Sequence, residues 1–93
     1  MRERSVEASI IDMVTAAGGY CLKWVCPGRR GLPDRIILLP GAVIIFLEVK
    51  RPGEKPTALQ EEWLRRLRKL GFRATWADSL EAARHIIQEA LIC

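Results

Sequence analysis

The stretch GLPDRIILLPGAVIIFLEVKRPGEKPTALQ, residues Gly31 to Gln60, decides how this chain folds. It contains two strongly apolar runs, IILL (Ile36–Leu39) and AVIIFL (Ala42–Leu47), with Pro40-Gly41-Ala42 between them. That turn chemistry between two short β-branched runs predicts a hairpin. The far ends of the two runs are charged. Asp34 opens the first, and Glu48-Val49-Lys50 closes the second. A charge buried without a partner is expensive, so either these ends are wet or the charges share something.

The turn sets the register. With Leu39 opposite Val43, Asp34 falls opposite Glu48, and a slip of one residue changes the partner but not the end of the sheet. Opposed Cβ atoms in an antiparallel pair lie only about 5 Å apart, so two carboxylates there repel unless a cation sits between them. A divalent metal with oxygen ligands meets that need. Glu48 and Lys50 are two residues apart and share a face. Val49 points the other way, which leaves its carbonyl available as a ligand. Lys50 has three roles open to it: orienting a water, helping to deprotonate it, or offsetting charge on a phosphate.

Outward from the hairpin, SVEASIIDMVTAAGG (Ser5–Gly19) reads as a helix, with Val6, Ile10, Met13, Val14 and Ala17 as its apolar stripe. Glu7 lies in line with Ile10, Ile11 and Val14, so it too should turn towards the sheet. YCLKWV (Tyr20–Val25) predicts a strand, and CPGRRGLP (Cys26–Pro33) a loop. TALQEEWLRRLRKLG (Thr57–Gly71) predicts a helix with Thr57 as cap and Gln60 completing a capping box. Its apolar face reads as Leu59, Trp63, Leu67 and Leu70. FRATWA (Phe72–Ala77) predicts a fourth strand, and DSLEAARHIIQEALI (Asp78–Ile92) a last helix capped by Asp78 or Ser79. The order is α-β-β-β-α-β-α. Because both hairpin strands are apolar on both faces, the hairpin should sit centrally with helices on each side.

Composition bounds the rest. Ninety-three residues with 49% hydrophobic and 28% charged side chains make one ordinary globular domain spanning residues 1–93. No run is long enough to span a membrane, and the charged N-terminus is unlike a signal peptide. Three cysteines (Cys21, Cys26 and Cys93) and one histidine (His85) supply neither a disulfide framework nor zinc-ligand spacing. A cytosolic protein, with no membrane partner, is the expectation. The net charge of +4 is compatible with nucleic acid.

Each residue also has a plain structural reading. An aspartate after proline often starts a strand; Glu48 and Lys50 can be a solvated strand end; Glu7 suits a helix N-terminus. Gln60 serves the capping box, and Arg29 and Arg30 serve loop solubility. Trp24, Trp63 and Trp76 read as core residues in preference to stacking platforms for bases. The functional reading gains from convergence, because independent patterns meet at one corner of one sheet.

Pro33-Asp34, fourteen positions before Glu48-Val49-Lys50, resembles the PD-(D/E)XK nuclease signature. More closely, PGRRGLPDRIILLPGAVIIFLEVKRPGEKPTALQEEWLRRLRKLGF (Pro27–Phe72) resembles the VRR-NUC branch, in its stand-alone phage and bacterial form. The similarity covers nearly the whole chain. It implies an α/β, restriction-endonuclease-like αβββαβ core, with a small central mixed sheet flanked by helices and followed by a C-terminal helix. It implies dependence on Mg²⁺ or Mn²⁺ and hydrolysis of DNA phosphodiesters. By motif position Asp34 and Glu48 would be metal ligands, joined by the Val49 carbonyl and Glu7. Lys50 would be the catalytic lysine and Gln60 the glutamine of the next helix. Arg29, Arg30, Arg51 and Lys55 would hold flanking phosphates.

Stand-alone members are similar to Holliday-junction resolvases and act as homodimers. The resemblance therefore implies a junction endonuclease in a bacterial or phage-infected host cytosol. A flap, single-strand or nicking nuclease, or a non-catalytic nucleic-acid-binding module, is the alternative. One departure stands out: Val25 is separated from Arg29-Arg30 by Cys26-Pro27-Gly28, so the Val-Arg-Arg tripeptide of the family name is not contiguous.

Overall fold

The computed structural model describes residues 5–92, so Met1–Arg4 and Cys93 lie outside it. Seven elements follow in the expected order: α1 (Val6–Ala16), β1 (Tyr20–Lys23), β2 (Arg35–Leu39), β3 (Val43–Val49), α2 (Ala58–Lys69), β4 (Arg73–Ala77) and α3 (Leu80–Ile92). The four strands form one sheet in the order β1-β2-β3-β4. The pairs β1–β2 and β2–β3 are antiparallel, and β4 joins β3 in parallel. The sheet is mixed because a hairpin needs only a turn, whereas the parallel β3–β4 pair needs the crossover that α2 supplies.

The hairpin register is the one its turn dictates, with Leu39 opposite Val43 and Arg35 opposite Leu47. One further step brings Asp34 to Glu48. The turn is left-handed at two successive residues, Gly41 at φ 85° and Ala42 at φ 61°. Glycine enters that region freely, while alanine does so at a steric cost.

Period-two alternation sorts the strands between two cores. Ile37, Leu39, Ile45 and Leu47 face α1 and α3, where they bury Ile10, Val14, Ala83, Ile87 and Ala90. Each large aliphatic chain buried there contributes about 1.5–3 kcal/mol. On the opposite face Leu64, Leu67 and Ala74 pack with Trp24, Phe46 and Trp76. Ser5 caps α1 by accepting the Ala8 N–H at 3.1 Å, and Thr57 and Gln60 form the full reciprocal capping box of α2. At α3 the hydroxyl of Ser79 accepts the Ala82 N–H, while Asp78 accepts the Gly53 N–H from another loop.

One expectation needs correction. The core-facing residues of α2 are Leu64 and Leu67, while Leu59 is 48% and Leu70 74% exposed. The reason is placement: α2 packs on β4 and the adjoining part of β3, so only a narrow stripe of it meets the sheet. The hairpin sits centrally with helices on both faces, as expected, although α2 covers its own face only in part: Ile44, together with Tyr20 and Leu22 of the neighbouring β1, stays exposed there. Among the described residues, no helix is long and apolar enough to cross a membrane.

Candidate active site

The charged ends of β2 and β3 meet at one end of the sheet. A cleft of about 380 Å³ opens there, lined among others by Glu7, Asp34, Val49, Lys50, Arg51 and Glu54. The Asp34 carboxylate accepts the Val49 N–H at 3.1 Å, which fixes it across the strand pair. Glu48 stands behind the cleft wall with only 6% exposure. Its Oε2 takes the Lys50 ammonium at 3.6 Å and the Gln60 side-chain amide at 3.3 Å.

Gln60 therefore does two things at once. Its Oε1 accepts the Thr57 N–H at 2.9 Å to cap α2, and its Nε2 donates to Glu48. The two readings of this glutamine, cap and site residue, are both met by one rigid amide.

Electrostatics mark the corner. Burial, followed by the charge of Asp34, pushes the Glu48 carboxyl up to about 7 against the opposing pull of Lys50. The Asp34 carboxyl is also raised, first by burial and then by the charge of Glu7, although the Val49 N–H and Arg35 work against this. Burial is the leading cause at both Asp34 and Glu48, with a neighbouring acid adding to each. Such a corner favours a cation.

Glu7 reaches this place from α1. Its carboxylate takes the Arg35 guanidinium at 3.1 Å, at the edge of the cleft. Arg35 is the residue sequence reasoning passes over. Its signal is the period-two rule: beside Asp34 but on the opposite strand face, it is the one charge in the odd-numbered row that continues as Ile37 and Leu39. Among the described residues, no three His, Cys, Asp or Glu side chains converge as a ready-made cation cage. The donor set is two carboxylates at paired strand ends, Asp34 on the wet cleft and Glu48 buried behind its wall. That suits Mg²⁺, which keeps several waters and binds through one or two carboxylates plus substrate phosphates.

The basic residues fall in two places. Arg51 lies on the cleft itself, in a turn held by the Glu54 carboxylate on the Arg51 N–H, and Lys55 is exposed just beyond it. Arg29 and Arg30 are exposed on the loop before Asp34, away from the cleft lining. Trp24 and Trp76 pack into the α2-side core, but Trp63 is half-buried with two guanidinium groups against its ring.

No family model matches the sequence. The chain is 47% identical over 79 residues to "Putative nuclease p44" of Acyrthosiphon pisum secondary endosymbiont phage 1, covering 85% of each sequence. Among solved structures, a VRR_NUC domain superposes with a TM-score of 0.82 at 32% identity, over 89% of this chain and 90% of that one. A VRR_NUC domain protein superposes with a TM-score of 0.72 over 98% and 91%, and at 19% identity it speaks for the fold alone. Similarity to both a phage sequence and a solved domain extends over most of the chain, and the chain belongs to the VRR-NUC family of nuclease domains.

Proposed function

We propose that this chain is a Mg²⁺- or Mn²⁺-dependent, structure-specific DNA endonuclease that resolves four-way junctions as a homodimer. The observation that carries the reading is the corner itself: a buried Glu48 raised to about 7 beside Asp34, touched by Lys50 and Gln60 and opening on a cleft. Two acids held this close cost folding energy, and a reaction that needs a cation at that point explains why the fold carries them.

In this reading Asp34 and Glu48 hold the cation, with the Val49 carbonyl beside them. The chemistry such an ion supplies when bound is polarisation of the phosphate and a lowered pKa for its water. Lys50 sits at the cleft wall, where its ammonium offsets negative charge on the attacked phosphate. Gln60 orients Glu48 by fixing one of its oxygens. Glu7 stands at the cleft edge with its charge partly offset by the Arg35 guanidinium. Arg51 and Lys55 meet the flanking backbone as phosphate contacts. A junction presents two strands to cut and this domain supplies one site, so a two-fold pair would match the substrate. The exposed Tyr20, Leu22 and Ile44 provide an apolar surface for pairing.

The test is cleavage of a labelled four-way junction beside linear duplex, single-strand and flap DNA, with Mg²⁺, Mn²⁺ or EDTA. Paired metal-dependent cuts in the junction, lost in Lys50→Ala and Asp34→Ala, are expected. Cuts confined to flaps or single strands, or nicks in duplex, would keep the site and replace the substrate. A folded wild type that binds DNA but cuts nothing would make the chain a binding module. Thermal melting with Mn²⁺ reads the cation site without activity: the ion should raise the Tm of wild type and not of Asp34→Ala.

A further inference from the structure

We infer that Trp63 is a positioning residue for DNA, holding the Arg29 guanidinium on the α2 side of the site, outside the cleft, as a clamp for a flanking phosphate. The inference rests on the nuclease reading above and adds to it a residue and a mechanism. The loop between β1 and β2 leaves the sheet at Trp24, whose N–H reaches the Asp34 carbonyl at 2.8 Å, so it is closed at its base beside a site acid. It then lies down on α2. At Gly31 (φ 86°) an added Cβ would stand 2.6 Å from Leu59 Cγ and 3.1 Å from Trp63 Cδ1, so backbone and helix are in direct contact. Arg29, two residues earlier, places its guanidinium carbon 5.5 Å from the centroid of the Trp63 ring.

Trp63 follows Gln60 by three residues and shares its side of α2. The platform therefore stands one helical turn, about 5 Å, from the residue that touches Glu48. Arg66 approaches the same ring at 5.0 Å but also bonds the Glu62 carboxylate at 3.1 Å, so its charge is partly spent. Arg29 has no side-chain hydrogen bond or ion pair among the described residues. A cation held over a ring face is attracted by the ring quadrupole while its in-plane N–H donors stay free. The cation–π contact thus draws Arg29 to this place without using the groups that would bind a phosphate. Arginine suits this task because its guanidinium carries a fork of donors matched to phosphate oxygens. The same observation corrects the core reading of Trp63, whose ring is shared with charged groups and not enclosed by aliphatic ones.

The experiment is fluorescence-anisotropy binding of the labelled junction and duplex in EDTA across a salt series. It uses wild type, Arg29→Ala, Trp63→Leu and the double variant, with thermal melts to confirm folding. One lost phosphate contact lowers the slope of log affinity against log salt by about 0.9. That loss is expected in Arg29→Ala, in Trp63→Leu and, undeepened, in the double variant. A Trp63→Leu protein that melts earlier but keeps the wild-type slope overturns the inference, as do losses that add in the double. Should Trp63→Leu fail to fold, the cycle runs with Trp63→Phe, which keeps a weaker ring. Arg29→Ala should then cost less than in wild type, and an equal cost overturns the inference. If wild type shows no salt-dependent binding to either DNA, this inference falls, while the nuclease reading is decided by the cleavage test with metal.

Discussion

The two ends of the β2–β3 hairpin are made from the same two apolar strands, yet they differ in what they hold. At the turn end Leu39 and Val43 close on Pro40-Gly41-Ala42, and the nearby groove is lined by Ala42, Val43, Ile44, Gly71, Phe72 and Arg73. Its one irregularity is the left-handed Ala42. At the other end Asp34, Glu48 and Lys50 meet with Gln60, and burial raises both acids. The turn end is arranged for folding. The charged end opposes folding, and the apolar strands between them supply the stability that tolerates it.

That contrast can be broken in four ways, from the largest effect to the smallest. Lys50→Ala should lower the rate of DNA cleavage by about 10²–10³-fold, the usual loss for one stabilising group at a developing charge. The loss is read in a single-turnover assay, and a turn-end substitution should leave that rate unchanged.

The second is the pH dependence of metal-free stability. The Glu48 carboxyl is raised from 4.5 to about 7 in the folded protein. Between those values the folded state keeps a proton that the unfolded chain releases, so stability falls as pH rises from 4.5 to 7 and then levels. The full shift corresponds to about 3 kcal/mol, and solvent in the cleft reduces the expected slope to about 1–2 kcal/mol over that window. The exposed Glu62, held down at about 2 by Arg65 and Arg66, acts only at lower pH, where its contribution is lost. Denaturant titrations in EDTA at pH 5 and pH 8 check the sign.

Third, Asp34→Asn keeps an acceptor for the Val49 N–H but removes the like charge beside Glu48. At pH 8 without metal it should stabilise the fold by about 1 kcal/mol, a rise of about 4–8 °C in Tm, while abolishing cleavage. A drop in Tm would mean that the acid pair does not oppose folding. Fourth, Ala42→Gly relieves the left-handed alanine at the opposite end. It should add about 0.5–1 kcal/mol and leave cleavage at the wild-type rate.

The sequence alone determined the element order, the hairpin and its register, and hence that Asp34, Glu48 and Lys50 share one end. These are short-range consequences: a turn fixes which residues oppose, and strand alternation fixes which share a face. Gln60 was legible as a cap for the same reason, since a capping box is complete within four residues. Tertiary structure alone decided that Gln60 also reaches Glu48, that Glu7 meets Arg35, and that Leu59 and Leu70 stay exposed while Leu64 is buried. It also set two arginines against Trp63. Periodicity names the apolar side of a helix but not how much of it a neighbour covers. The partner of a charge and the depth of its burial depend on elements distant in sequence, and only the packed fold brings those together.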